Sequence, residues 1–487
     1  MNNKRPNILL FMSDNQSADF IGCYGNNEIK TPNIDLLAFN GMKYLSAYCS
    51  NAMCSPCRAS VLTGLMPSAH GIHNWLDDNL ESQWPDKWNA IGEFDSFPIK
   101  LKEAGYKNAL IGKYHLGKAW ESSAAFDHWV TFPHGHTKSF YNNKIIDNEE
   151  TYEHEGHSVE LFTDKTIDFL KENKDSTNPF FCFVPFNGPY GHWPSIKGRA
   201  KNQFAELYDD CELNSVPREG INKRVIDRYS SRVLESGGNL PEQFSGPLLL
   251  PNNKESLKNY FSQTSLIDFG IGKIVNELKT LEMFDNTIII YTSDHGFSLG
   301  NHGIWGHGMA AWPSSIHRPS FNIPLIFSGP GVNKGISNSL VSQLDLGNTI
   351  LNLANAEKLK GKKIDSNSLN LSDENSKNRK MVFMEQEESR AVRTDRWLYI
   401  ERFNKEGMDY LNAELYDLEK DQDERINLSN EKDFLEYKKM LSEQLSLYFN
   451  KFSIPKFDLW KGGSAKSNVS NPRFWKKAWG PNWNTTF

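Results

Sequence analysis

A chain of 487 residues is too long for one ordinary core and should divide into at least two domains. Hydrophobic residues at 38% and charged residues at 23% suit a soluble globular protein. The net charge of −6 offers no basic footprint for nucleic acid or an anionic membrane, and no apolar run reaches the length of a membrane-spanning helix.

Residues 7–12 form a short apolar run that Ser13-Asp14-Asn15 stops, which reads as a buried strand and not as a secretory leader. Thr31 followed by Pro32 is a helix start, so 31–40 is predicted helical. Residues 107–112, 180–185 and 286–292 are rich in Ile, Leu, Val and Phe, in the manner of strands covered on both faces. The segment 204–258 holds Pro217, Gly220, Gly237, Gly238, Pro241, Gly246 and Pro251. It reads as a long excursion, either the wall of a site or a mobile insertion. Residues 262–281 carry Leu266, Ile267, Ile271, Ile274, Val275 and Leu278 at a helical period. Strands alternating with helices predict a large α/β sandwich around a mixed, mostly parallel sheet.

Residues 356–380 are polar and lysine-rich and read as a linker or exposed hairpin. Strands at 381–385 and 397–403 and a helix at 431–449 predict a smaller α+β unit with a short antiparallel sheet. The expected division is 1–370 and 371–487. The tail from Lys451 carries Trp460, Trp475, Trp479 and Trp483. Its plainest use is packing back over the first domain; stacking on sugars is the sharper one. Six cysteines (Cys23, Cys49, Cys54, Cys57, Cys182 and Cys211) are too few for a disulfide scaffold, though they leave room for one bridge.

Four stretches offer chemistry. Ser13-Asp14-Asn15 and Thr292-Ser293-Asp294-His295-Gly296 each follow a predicted strand, where sites of α/β sheets lie. Asp14, Asn15 and Asp294 are hard oxygen ligands suited to Ca²⁺ or Mg²⁺, with His295 a softer member; each Asp alone would equally serve as a helix cap. Lys113 and His115 alternate, so in an extended segment both face one way and suit an oxyanion; an exposed basic turn is the alternative. The fourth stretch is Asn51–Gly64, NAMCSPCRASVLTG, with Cys54 and Cys57 three apart. No second ligand pair supports zinc, and the first strand already ends in an acidic pair where a redox Cys-x-x-Cys would stand.

Cys54-x-Pro56-x-Arg58 followed by Leu62-Thr63-Gly64 resembles the signature of the type I sulfatases of the alkaline phosphatase superfamily. Further blocks resemble that family in its own order. They are Arg5-Pro6-Asn7-Ile8-Leu9, Thr31-Pro32-Asn33-Ile34-Asp35, Ile111-Gly112-Lys113-Tyr114-His115-Leu116-Gly117, Ser293-Asp294-His295-Gly296, Arg393-Thr394-Asp395-Arg396 and Glu414-Leu415-Tyr416-Asp417-Leu418. The likeness runs from residue 5 to about 450.

The resemblance implies that Cys54 is oxidised to formylglycine by a formylglycine-generating or anaerobic sulfatase-maturating enzyme. The hydrated aldehyde would then attack sulfur. By the same likeness Arg58 supports the hydrate, Lys113 contacts the sulfate and His115 the formylglycine hydroxyl. Asp14, Asn15, Asp294 and His295, with residue 54, match the family's metal positions, usually occupied by one Ca²⁺. Asn15 stands where a second Asp is usual, leaving two formal charges among the ligands. Asn187-Gly188-Pro189-Tyr190-Gly191-His192 departs from Asn-x-Pro-His, so His192 is expected to reach the sulfate through a loop shift, with Tyr190 in the usual place. His307 stands where a lysine is usual and is the candidate general acid, with His302 and His317 competing. Cys57 falls at a variable position and is expected to be a small helical residue outside the chemistry.

The implied activity is hydrolysis of a sulfate ester on a glycosaminoglycan or algal polysaccharide fragment. The alternative is a phosphonate or phosphate mono- or diester hydrolase of the same superfamily, and a non-catalytic sulfated-glycan binder is the rival from another class. A periplasmic or secreted home, with any leader trimmed, is expected over a cytoplasmic one. No motif specifies the sugar, the sulfate position, or the oligomeric state.

Overall fold

The computed structural model describes residues 5–486 apart from 236, 241 and 378, so Pro241 of the excursion lies outside the described residues. Its main sheet contains β1 (Asn7–Asp14), β2 (Met42–Tyr44), β3 (Lys107–Ile111), β4 (His128–Thr131), β5 (Asn143–Asp147), β6 (Glu150–His154), β7 (Phe180–Pro189), β8 (Thr287–Ser293), β9 (Leu325–Ser328) and β10 (Gly335–Ser337). The strand order is β10-β2-β9-β8-β1-β7-β3-β4-β5-β6. The central run β8-β1-β7-β3-β4 is parallel throughout. The strand β9 and the β5-β6 hairpin join antiparallel. This is the mixed sheet with a parallel centre that the alternating pattern predicts.

Burial explains the apolar runs. In β1, Ile8, Leu10 and Met12 belong to one core while Leu9 and Phe11 belong to the other, so both faces are covered. The principal helices are α1 (Pro32–Phe39), α2 (Cys54–Thr63), α3 (Ser158–Glu172), α4 (Lys223–Glu235), α5 (Lys254–Thr280) and α6 (Leu435–Phe452). Helices α1, α3 and α5 cover one face through residues such as Ile34, Phe162 and Ile271. Helix α2 lies on the other, with Cys57, Ala59, Val61 and Leu62 in that core. Pro56 fits its first turn, where an amide N–H has no intrahelical partner. Gly64 closes it in the left-handed region at φ 68°.

A second sheet, β11 (Val382–Gln386), β12 (Ser389–Arg393), β13 (Trp397–Arg402) and β14 (Glu414–Asp417), is antiparallel in sequence order. Helix α6 packs Leu441, Leu445 and Phe449 against its Val392 and Tyr399.

Two segments differ from the sequence reading. The excursion 204–258 is largely ordered by α4, whose Val225 and Tyr229 pack on Ile304, Ala310 and Ala311. Residues 356–380 form no hairpin among the described residues. Their Leu359, Leu369 and Leu371 enter the core, and Arg379 pairs with Asp345 at 2.6 Å and Asp365 at 3.0 Å. The tail's indoles go to packing: Trp475 and Trp483 are buried with Phe403, Leu459 and Ala465. The tail also lies on the larger layer, where Ser467 Oγ accepts the amides of His73 and Asn74, each at 3.0 Å. All six cysteines are free thiols. Among the described residues no helix is long and apolar enough to cross a membrane.

Candidate active site

Strand register brings the two acidic turns together. Ser13 pairs with Ser293 at the carboxyl ends of the parallel neighbours β1 and β8, so Asp14 and Asp294 emerge side by side. The amide of Asn15 donates to Asp294 Oδ1 at 3.2 Å. Cys54 opens α2 directly over them, its Sγ 3.5 Å from Asp14 Oδ1 and 3.5 Å from His295 Nε2. Arg58 is one helical turn on, hence on the same face. Its Nη2 donates to Asp14 Oδ2 and Asp294 Oδ2, both at 2.9 Å, and its Nη1 to the carbonyl of Lys113. Lys113 Nζ donates to Asp14 Oδ2 at 2.7 Å.

These groups are buried together, and their charges hold one another. Burial opposes ionisation of Asp14, but Lys113, Arg58 and His295 outweigh it and hold its carboxyl well below the usual range. Burial likewise opposes the charged Lys113, yet Asp14 raises its pKa. Burial and then Asp14 push the Cys54 thiol up, so it carries no thiolate at neutral pH.

The ligand atoms of Asp14, Cys54, Asp294 and His295 lie within 4.8 Å of one another. Asn15 adds a buried side chain whose Oδ1 and Nδ2 have no hydrogen-bond partner. An orphaned buried amide costs about 1–3 kcal/mol. Hard oxygens around one imidazole, with an unsatisfied carbonyl oxygen beside them, fit a divalent cation. Asn15 takes up a left-handed backbone at φ 64°, a conformation asparagine tolerates.

Other sequence candidates lie around this centre. His115 has φ 56°, so the segment is not extended and the alternation that would place it beside Lys113 does not apply. Its Nε2 sits 3.0 Å from the carbonyl of Leu76, and its buried Nδ1 has no partner. The loop after β7 places Tyr190 under Lys113 Nζ, 4.9 Å from the ring centre, and His192 4.9 Å from Tyr190 and 5.1 Å from His307. Gly191 permits this turn, since a Cβ there would lie 2.4 Å from the Phe297 ring. Burial pushes His192 down to about 4 and, with His192 as neighbour, His307 well below its usual value. His302 and His317 stack on each other at 4.5 Å elsewhere, where His317 is held by Glu414 at 3.3 Å and Glu424 at 3.0 Å. Cys57 faces away from the cavity, its Sγ against the carbonyl of Asp294 and Gln343 Oε1.

A cavity of about 330 Å³ lies beside this centre; Met53, Tyr190, His192 and His307 line it, as do Arg228, Arg232 and Phe244. Sequence reasoning missed His136, whose Nδ1 lies 2.7 Å from Tyr190 Oη and whose ring packs 4.5 Å from His115. Its place just after β4, another parallel strand end, was the available signal. Trp75 and Arg228 were also missed, because only the fold brings 75 and 228 together.

A family model described as Sulfatase matches residues 6–356, and one described as N-sulphoglucosamine sulphohydrolase, C-terminal, matches 311–451. An N-acetylglucosamine-6-O-sulfatase of Bacteroides thetaiotaomicron is 28% identical over 73% of this chain and 68% of its own length. The solved structure of BT4656 in complex with its substrate D-glucosamine-2-N,6-O-disulfate superposes with a TM-score of 0.70 and 25% identity, covering 92% of this chain and 98% of that one. A phosphonate monoester hydrolase of Agrobacterium radiobacter shares the fold at a TM-score of 0.66 and 17% identity, covering 92% and 96%.

Proposed function

The chain belongs to the sulfatase family and is a sulfuric ester hydrolase, and from that premise we propose that it desulfates a carbohydrate through formylglycine at position 54 beside a calcium ion. The setting of Cys54 carries this reading. It sits over two carboxylates, a histidine and an arginine, in a site that suppresses its thiolate. An aldehyde hydrate at the same place would offer two hydroxyls where the thiol offers no usable nucleophile.

One hydroxyl loses its proton to solvent as its oxygen attacks sulfur, the bond from sulfur to the sugar oxygen breaks, and that oxygen takes a proton from His307. The second hydroxyl then gives up its proton and forms the carbonyl, the bond to the sulfated oxygen breaks, and sulfate leaves. Water restores the hydrate and His307 regains its proton from solvent, so ester and water become alcohol and hydrogen sulfate. Arg58 and Lys113 bring fixed positive charge to the sulfate and hydrate. The unpartnered Nδ1 of His115 supports its contact with a formylglycine hydroxyl. His307 is neutral in the free site, and the charge of an entering sulfate favours its protonated form. Asp14, Asn15, Asp294 and His295 would hold the calcium ion, which supplies Lewis-acid polarisation of sulfate oxygens.

Aromatic walls at Trp75, Trp193, Tyr229 and Phe244 support a saccharide in the cavity, as do the sugar substrates named for the relatives. Glycosaminoglycan and algal polysaccharide fragments are the substrate classes. The test is sulfate release across defined sulfated mono- and disaccharides, using protein made with a maturation enzyme and checked by peptide mass spectrometry. Full activity with unmodified Cys54 would refute the nucleophile. Faster turnover of matched phosphate or phosphonate esters would replace the sulfatase reading with the hydrolase one.

A further inference from the structure

We propose that the cavity recognises a second anionic group on the saccharide, a carboxylate or a further sulfate, and that Arg228 is the residue that binds it. This rests on the carbohydrate reading above and adds which saccharides the site prefers. Arg228 and Arg232 lie four residues apart on one face of α4, and both border the cavity. Arg228 is only 6% exposed. Its Nη1 donates to the carbonyl of Ser470 at 2.7 Å. Among the described residues its other nitrogens have no hydrogen-bond partner, and no carboxylate pairs with it. Its charge acts on Glu387, and its planar fork matches carboxylate and sulfate oxygens.

The nearby acids are turned toward protein amides and hydroxyls. Glu387, behind Arg228, accepts the Ser470 amide at 2.8 and 2.9 Å, Ser470 Oγ at 2.9 Å and Asn74 Nδ2 at 2.8 Å. Asp78 accepts the amides of Gly135 and His136, each at 3.1 Å, and Asp77 accepts from Asn79 and Asn468. On the same wall the Arg232 guanidinium lies 4.2 Å over Phe244 and 5.9 Å over Trp75, which fixes a second cation there. Met53, which precedes Cys54 in the chain, lines the same cavity, as do Tyr190, His192 and His307 around the site. A sugar with its scissile sulfate at Cys54 therefore presents its other substituents to α4.

Two matched pairs test this by sulfate release: glucosamine 6-sulfate against glucosamine 2-N,6-O-disulfate, and a 2-sulfated hexose against the corresponding hexuronate. A charged hydrogen-bonded pair predicts at least about tenfold higher kcat/KM for the doubly anionic member, mostly through KM. The pair that shows it tells sulfate from carboxylate. Arg228→Gln should bring that ratio close to one, and Arg228→Lys should restore part of it. Thermal shift with D-glucuronate and with glucosamine N-sulfate, neither of them a sulfate ester, gives a reading independent of turnover. One of the two should raise the Tm of the wild type and not of Arg228→Gln. Should Arg228→Gln not fold, Arg232→Gln is the second variant and should also lower the ratio.

No preference in either pair together with no thermal shift overturns the proposal. So does a preference or shift that the variants leave intact. A shift that depends on Arg228, with none of the esters turned over, would instead sink the carbohydrate sulfatase reading and leave the anion site standing.

Discussion

Asn15 stands where the resemblance to the sulfatases implies a second aspartate. With two carboxylates and one amide, the site attracts a cation less strongly than three carboxylates would, and affinity follows ligand charge. Asn15→Asp should bind calcium at least about tenfold more tightly, measured by calorimetry on chelator-stripped protein. An unchanged affinity would remove position 15 from the ligand set. His307 faces the cavity, whereas His317 is clamped between Glu414 and Glu424. His307→Ala should lower kcat roughly 10²–10⁴-fold, the range of a lost proton donor. His317→Ala should lower Tm and leave kcat within a few fold; equal losses of kcat would end the acid assignment. At this scale the sequence displayed Cys54, Arg58, Asp14 and Asp294 because each lies in a short contiguous motif. It could not display His136 or Arg228, whose partners are distant in the chain, or the turn at His115, which breaks the alternation that an extended reading assumes.

Among the elements, β1, β3, β7 and β8 were legible because burial on both faces leaves an uninterrupted apolar run. Helix α4 was hidden because its segment is rich in glycine and proline on either side, while the helix itself is amphipathic and polar on its outer face. The 356–380 segment misled in the opposite sense: its lysines point out, but three leucines and one arginine pin it. Arg379 is nearly buried between Asp345 and Asp365, and removing one partner of a buried ion pair typically costs about 3–5 kcal/mol. Arg379→Ala should therefore lower unfolding free energy by about that amount in urea titrations, with little change in KM. A loss below about 1 kcal/mol would show the segment to be held by its leucines alone.

Across the whole molecule, buried neutral histidines contribute to the loss of stability in acid. Burial holds His73 and His157 at about 4. His157 Nδ1 accepts the amide of Val159 at 3.2 Å at the start of α3, with Nε2 2.9 Å from Gln263 Oε1, an arrangement only the neutral ring can make. Above pH 6.5 neither the folded nor the unfolded chain protonates these rings. Between 6.5 and 4 the unfolded chain takes up protons the folded one refuses, so stability falls by about 1.4 kcal/mol per pH unit for each such ring. His317 has the opposite sign. Burial lowers its pKa, but Glu414 and Glu424 outweigh that and raise it, so its contribution is complete below 6.5 and lost on the alkaline side. Tm should therefore fall as pH drops from 6.5 to 4, and His157→Gln should flatten that slope; an unaltered slope would contradict the assignment.

The burial of α2 also fixes an order of events. Every residue from Cys54 to Thr63 is enclosed, and Pro56 and Arg58 with them. On the proposed formylglycine route, a maturation enzyme could reach this buried stretch only before the helix docks against the sheet. Maturation would thus race folding: a chain that folds first is sealed as an inert thiol, and late addition of the maturation enzyme should leave Cys54 unchanged, whereas addition during synthesis should convert it.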